Sequence, residues 1–258
     1  MTYENVAANL RESFRVIAAS RDAGEVRELP GVSIASAGVA FQMFNAAFLS
    51  GPVESEAELT RKVMMAAIHF NSRGLEWAYW VCEDWVAPKV QRRIRAVLEH
   101  QGLRHSVDLP GMVAERLRPP ARPLPALAVE RVMNGRARED FCGIGSVCFH
   151  VPIAWFSEVF DSHRVWERFR AYVGYANGVP VSTSAIVLGG DALGVYNVAT
   201  LPEHQRRGYG EAVMRYALAD AGSEFGLERA ILQSTVAGYR LYERMGFRTV
   251  TRVGVYAT

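Results

Sequence analysis

Arg170-Ala171-Tyr172-Val173-Gly174-Tyr175-Ala176 and Val181-Ser182-Thr183-Ser184-Ala185-Ile186-Val187 are two strand-like runs flanking Asn177-Gly178. Both turn residues tolerate positive φ, so the pattern predicts a two-stranded hairpin. Gly189-Gly190-Asp191 marks a second turn, leading into a strand from Gly194 to Thr200. Upstream, Leu127-Ala128-Val129-Glu130-Arg131-Val132 reads as a short strand, with helical stretches around Glu139 to Phe149 and Ile153 to Asp161. Downstream, Glu211 to Ala219 places Ala212, Val213, Tyr216 and Ala217 on one helical face, with Gly222 as the expected stop. Arg229 to Ser234 reads as a strand and Thr235 as the N-cap of a helix ended by Gly246. Phe247 to Val255 then completes a mixed sheet.

The N-terminal part is patterned differently. Glu76 to Cys82 carries apolar or aromatic residues on both faces, which predicts a central strand covered on both sides. Helices are expected around it at Val6 to Ser20, Glu56 to Ser72 and Ala87 to Gln101. Between the halves runs Arg118-Pro119-Pro120-Ala121-Arg122-Pro123-Leu124-Pro125, whose prolines remove backbone donors and stiffen the chain. The expected division is an α/β domain over 1–118, a linker over 119–126 and a mixed-sheet α/β domain over 127–258.

Composition narrows the classes. The chain has 258 residues, 50% hydrophobic and 22% charged, which is ordinary for a globular protein of one large or two smaller domains. A net charge of +2 gives no footprint for nucleic acid, and Arg92-Arg93-Ile94-Arg95 reads as the solvated face of a helix. No apolar run reaches membrane-spanning length, and Met1-Thr2-Tyr3-Glu4-Asn5 has an early acid and no signal-peptide pattern. Cys82, Cys142 and Cys148 lack metal-ligand spacing, so no metal is expected and a reduced cytoplasmic setting is. Cys142 reads as a small buried hydrophobe.

The chemistry concentrates in Val198-Ala199-Thr200-Leu201-Pro202-Glu203-His204-Gln205-Arg206-Arg207-Gly208-Tyr209-Gly210. A strand, a Pro-marked turn and a basic glycine loop open directly into a helix, a layout that presents backbone N–H groups to an anion. Gly208 and Gly210 let the backbone come close to such an anion. The loop is neither G-x-G-x-x-G nor a Walker loop with its G-K-[ST], which disfavours a dinucleotide or nucleoside-phosphate reading. Gln205-x-x-Gly208-x-Gly210, preceded by Thr200-x-Pro202, resembles motif A of the GNAT acyltransferases. Leu232 to Phe247, ending Leu241-Tyr242-x-x-x-Gly246-Phe247, resembles that family's motif B. The predicted order β-α-α-β-β-β-α-β-α-β is similar to the GNAT fold over roughly half the chain. The first half resembles the degenerate copy that opens tandem GNAT proteins. No [RQ]-x-x-G-x-[GA] loop precedes residue 118, so such a copy would not hold a coenzyme in the same way.

The resemblance implies an acetyl-CoA-dependent N-acetyltransferase acting on a small-molecule or peptide amine. It implies that Val198, Ala199 and Thr200 pair with the pantetheine arm and that one of their N–H groups stabilises an oxyanion. It further implies that Gln205, Arg206, Arg207, Gly208, Tyr209, Gly210 and Glu211 cradle the pyrophosphate, with Thr235 joining the coenzyme set. Tyr242 is the expected proton donor to the leaving thiolate. The competing reading is that Tyr239 and Tyr242 only fill core. Family members often carry a carboxylate base on the strands flanking motif A, but those positions here hold Tyr196, Asn197, Gln233 and Ser234. Glu158, Asp161, His163, Asp191, Glu203 and His204 remain as candidates, each also readable as a surface group. Trp77, Trp80 and Trp85 either line an acceptor pocket or pack the core. The missing carboxylate keeps open a non-catalytic acyl-CoA-binding protein whose first half makes protein contacts. A homodimer is compatible with either, and the acceptor and oligomeric state are not readable.

Overall fold

The computed structural model describes residues 2–133 and 135–258; Met1 and Asn134 lie outside the described residues. The first half runs α1 (Tyr3–Ala19), β1 (Glu25–Leu29), β2 (Val32–Ser36), β3 (Asn45–Leu49), α2 (Glu56–Asn71), β4 (Ala78–Cys82), α3 (Pro88–Gln91), α4 (Ile94–His100) and β5 (Arg104–Ala114). The second runs β6 (Ala128–Arg131), α5 (Gly135–Phe149), α6 (Ile153–Val159), α7 (His163–Arg168), β7 (Phe169–Ala176), β8 (Val179–Gly189) and β9 (Ala192–Thr200). It closes with α8 (Tyr209–Phe225), β10 (Ala230–Gln233), α9 (Val236–Met245) and β11 (Arg248–Ala257).

The hairpins form where the turn chemistry predicts them. Asn177 and Gly178 adopt φ of 52° and 80°, and Gly190 and Asp191 adopt 56° and 54°. Two successive left-handed residues match the twist of the flanking strands. Three expectations need correction. Gly222 does not stop α8, which continues to Phe225 and is capped by Gly226 at φ 67°. A Cβ on Gly222 would lie 2.7 Å from Leu227 O, so the glycine there admits the returning chain. Tyr216 is 48% exposed and lies off the face buried by Ala212, Val213 and Ala217. The stretch from Ala87 to Gln101 is two short helices, because Arg93 N–H bonds Val90 O at 2.8 Å and tightens the chain at Arg92-Arg93.

The eleven strands of the described residues form one sheet, in the order β1-β2-β3-β4-β11-β5-β10-β9-β8-β7-β6. In each half an antiparallel run ends on a strand that pairs in parallel with the next one, through a crossover helix. This is β3–α2–β4 in the first half and β9–α8–β10 in the second. The last strand of each half then changes sides. β5 pairs with β10, β11 pairs with β4, and the two lie antiparallel at the centre. The halves are therefore two versions of one plan, each completing the other's sheet. The sheet's two faces bury separate cores. Ala171, Val173, Ala185 and Val187 pack toward α5, α6 and α7, and Tyr172, Ile186, Val195 and Leu232 pack toward α8 and α9.

Helix α1 crosses from the first half onto the second half's strands. Asn9, fully buried on it, donates through Nδ2 to Val187 O (3.0 Å), Gly189 O (2.8 Å) and Ala192 O (3.3 Å). Its Oδ1 accepts from Tyr196 Oη at 2.6 Å. Asn9→Ala removes these partners at a site closed to water, at an expected cost of about 2–4 kcal/mol. For a chain of this size that corresponds to a melting temperature lower by roughly 5–15 °C. Scanning calorimetry checks it, and a shift of under about 2 °C would contradict the role given to this residue.

Candidate active site

β9 and β10 pair only at Leu193–Ala230 and Gly194–Ile231, although β9 runs on to Thr200 and β10 to Gln233. Beyond those pairs the strands part and leave a V-shaped gap in the sheet. On its other edge β9 stays paired with β8, with a register shift between Thr183 and Ala185. The shift centres on Asn197, at φ 48°, whose carbonyl accepts from Thr183 Oγ1 at 2.8 Å. A bulge of this kind re-aims the strand after it. Leu201 N–H donates to Val181 O at 3.0 Å, so strand alternation turns the Val198 N–H toward the open edge. The edge assigned to the pantetheine arm is thus unpaired on the side facing the gap.

At the head of the V the chain makes a 3-10 turn over Pro202–His204 and the Gln205–Gly208 loop before entering α8. Arg206 (φ 62°) and Gly208 (φ 89°) are both left-handed, which folds the loop back on itself. The first helical bond runs from Ala212 N–H to Gly208 O at 3.0 Å. The N–H groups of Tyr209, Gly210 and Glu211 therefore point out of the helix end, where the helix dipole favours an anion. A Cβ on Gly210 would lie 3.1 Å from Thr200 Oγ1, so this glycine lets α8 sit against the end of β9. Gln205 Nε2 donates to Thr200 O at 3.2 Å, and Glu211 carries an ion pair to Arg215 at 2.9 Å. The His204 ring packs edge-on to Tyr209. The residues assigned to the coenzyme loop are brought together at one helix end.

The equivalent position in the first half is built against anions. Glu54, Glu56 and Glu58 surround the start of α2; Ser55 Oγ caps Glu58 N–H at 3.2 Å, and Glu58 Oε2 takes Glu54 N–H at 2.9 Å. Lys62, 7% exposed, is used internally, on Pro52 O at 2.7 Å and Glu58 at 2.8 Å. No phosphate would settle among these carboxylates.

Across the V, Thr235 caps α9 by accepting from Gly238 N–H at 3.3 Å. Tyr242, 8% exposed, lays its ring over Gly238, where an added Cβ would meet Cε2 at 2.7 Å. The Phe247 ring lies edge-on to it, at 5.9 Å between ring centres. Burial pushes the Tyr242 hydroxyl up to about 12, so it keeps its proton at neutral pH. Tyr239 instead meets Thr249 Oγ1 through its hydroxyl at 3.2 Å.

The remaining candidates scatter. Glu158, Asp161 and His163 line one cleft of about 1000 Å³ between the end of α1 and the α6–α7 connection. There Glu158 pairs with Arg21 at 2.8 Å and Asp161 with Arg138 at 3.2 Å. Asp191 sits in the β8–β9 turn, at the opposite end of β9 from the loop. Trp77 is buried against Phe70 on the α2 side, Trp80 packs with Phe14 and Phe48, and Trp85 with Tyr3. All three tryptophans pack against other rings. Two residues near the loop carried no expectation: Pro125 and Arg122 of the linker lie against Gly208. Their only signal was a basic residue held between prolines.

Residues 138–247 match the acetyltransferase (GNAT) family model. These residues are a GNAT domain. Solved structures extend the likeness across both halves. A GCN5-related N-acetyltransferase from Kribbella flavida, 19% identical, aligns over 97% of this chain and 95% of its own with a TM-score of 0.73. A GNAT-family structure from Novosphingobium aromaticivorans, 15% identical, covers 98% of this chain and 97% of its own at 0.59. A tandem GNAT protein from the clavulanic acid biosynthesis pathway, 12% identical, covers 99% and 93% at 0.58. At these identities the likeness shows the fold. A search of curated proteins found no match. Among the described residues no helix is long and apolar enough to cross a membrane.

Proposed function

We propose that this protein is an acetyl-CoA-dependent N-acetyltransferase that passes an acetyl group directly to the primary amine of a small molecule or peptide. The observation that carries the reading is the juxtaposition of the Gly208–Glu211 helix end with the gap beyond Gly194 and Ile231. A coenzyme phosphate needs the first and an extended pantetheine arm needs the second. The bound coenzyme supplies an activated acyl carbon. The chain's own part is to fix the phosphates with the Tyr209–Glu211 amides, present the Val198 N–H toward the gap, and hold a proton on Tyr242 Oη for a leaving thiolate. The three cysteines are unpaired, which fits a cytoplasmic location.

A second reading, a non-catalytic acyl-CoA-binding protein, draws support from one observation. The parting ends of β9 and β10, Tyr196 to Thr200 and Leu232 to Ser234, carry no carboxylate. A thiol-release assay with acetyl-CoA and a panel of amines separates the two, run beside calorimetric titration of coenzyme. Acetyl-CoA at a hundredfold excess over its Kd is expected to stabilise the fold by about 2.7 kcal/mol in a thermal shift. Binding with turnover supports the enzyme, and binding without turnover on any amine supports the second reading. No binding removes both.

A further inference from the structure

The linker arginine Arg122 is far in sequence from the Gln205–Gly210 loop but not in space. Its Nη2 lies 3.9 Å, and Pro125 Cδ 3.2 Å, from where a Cβ on Gly208 would stand. The segment is pinned at its start. Arg118 N–H donates to Met245 O at 2.8 Å, and Arg118 O accepts from Arg215 Nη1, also at 2.8 Å. Arg215 is itself held by Glu211 in the first turn of α8. The linker thus runs from the C-terminal end of α9, past the side of α8, to the loop at α8's N-terminus. Prolines at 119, 120, 123 and 125 restrict the freedom of the backbone that delivers Arg122.

The charge arrangement is unfavourable as it stands. The start of a 17-residue helix is already a positive pole, and a guanidinium beside it is repelled. Arg206 and Arg207 add two further cations to the same loop. Among the described residues none of the three has a carboxylate within ion-pair distance. Arginines on neighbouring elements are paired, as in Arg116–Glu228 at 2.7 Å and Arg229–Glu115 at 2.7 Å. Arg122 therefore stands unpaired beside a helix N-terminus whose own loop carries two more unpaired arginines, and a multiply charged anion bound there would offset that charge. We propose that Arg122 is a ligand of the coenzyme's phosphates, so that the Pro-rich segment is a strap forming one wall of the coenzyme site. This rests on the coenzyme reading of the Gly208 loop. The strap joins the halves, so on this account the inter-domain connection also belongs to the binding site.

Isothermal titration of acetyl-CoA and of 3′-dephospho-acetyl-CoA into the full chain tests the proposal, with wild type, Arg122→Gln and Arg122→Lys compared. Arg122→Gln is expected to weaken acetyl-CoA binding about tenfold at low salt, the scale of one charge-assisted phosphate contact. It is also expected to flatten the salt dependence of Kd. A purely structural role for the residue would not move that slope. Arg122→Lys should recover part of the affinity, since it keeps the charge but not the fork. The dephospho coenzyme locates the contact. An equal loss with both ligands places Arg122 on the pyrophosphate, and a loss confined to the intact coenzyme places it on the 3′-phosphate. Either outcome supports the proposal. If wild type binds and Arg122→Gln binds equally well with the same salt slope, the strap proposal is wrong while the loop reading stands. If wild type takes up neither ligand, the loop reading itself falls.

Discussion

Tyr242→Phe is expected to lower kcat by about 10²-fold while leaving coenzyme affinity within about twofold. The substitution is conservative where it needs to be. The ring keeps its seat over Gly238 and against Phe247, and only the hydroxyl is lost. The size of the effect follows from acidity. With the hydroxyl pushed up to about 12 by burial, Tyr242 is a weaker acid than an alkyl thiol at about 8.5. Full proton transfer is then uphill, and the hydroxyl contributes mainly by hydrogen bonding to charge as it develops on sulfur. That places the loss at the lower end of the range for general acid catalysis. The same shift sets the pH behaviour. The protonated form is favoured in the fold, so its stabilising effect is complete below pH 10 and is lost as pH rises through about 12. No alkaline limb from this tyrosine is therefore expected in kcat below about pH 10. Equal turnover of the two proteins in the thiol-release assay would remove Tyr242 from the mechanism.

Much of the second half could be read in the sequence because its signals are local. Asn177-Gly178 fixes a hairpin through dihedrals that few residue pairs tolerate. Thr235 and Gly246 bracket α9 as N-cap and left-handed C-cap, the latter at φ 103°. The coenzyme loop is local too, because each amide it offers comes from one short stretch. Gly222 shows the limit of such reasoning. A glycine late in a helix looks like a stop, and only the path of Leu227 shows that it serves close packing instead.

What escaped was long-range. The exchange of β5 and β11 is not a local signal, because it is set by pairings between residues far apart in the chain, such as Ala230–Ala114 and Gly254–Val81. Residues of β2 and β3 are buried throughout, without the alternation that announces a strand with one wet face. Asn9 is one polar residue in an amphipathic helix, and its partners lie 178 to 187 positions away. The linker was legible as a stiff connector, but its contact with Gly208 depends on how the halves dock. The general base remains illegible for a related reason. Of the candidates on the face opposite α8, Glu158 is committed to Arg21 and Asp161 to Arg138.

Gly208→Val is expected to weaken acetyl-CoA binding by about 10²-fold or more, the equivalent of about 3 kcal/mol. Gly208 sits at φ 89°, a conformation that a β-branched residue adopts only at a cost of about 1–3 kcal/mol. The new Cβ would also press on Pro125 Cδ at 3.2 Å. The loop can relieve both strains only by rotating Gly208, which swings the Tyr209, Gly210 and Glu211 amides away from a shared focus. Affinity should therefore fall more than stability. Gly226→Ala supplies the contrast at the other end of the same helix. Gly226 is also left-handed, at φ 67°, but nothing lies within 4 Å of its added Cβ. That change should cost about 1 kcal/mol of stability and leave coenzyme affinity unchanged. The pair separates a strained glycine that serves the helix from one that serves the ligand. If Gly208→Val binds coenzyme as tightly as Gly226→Ala does, the amides at the start of α8 are not what hold the phosphates.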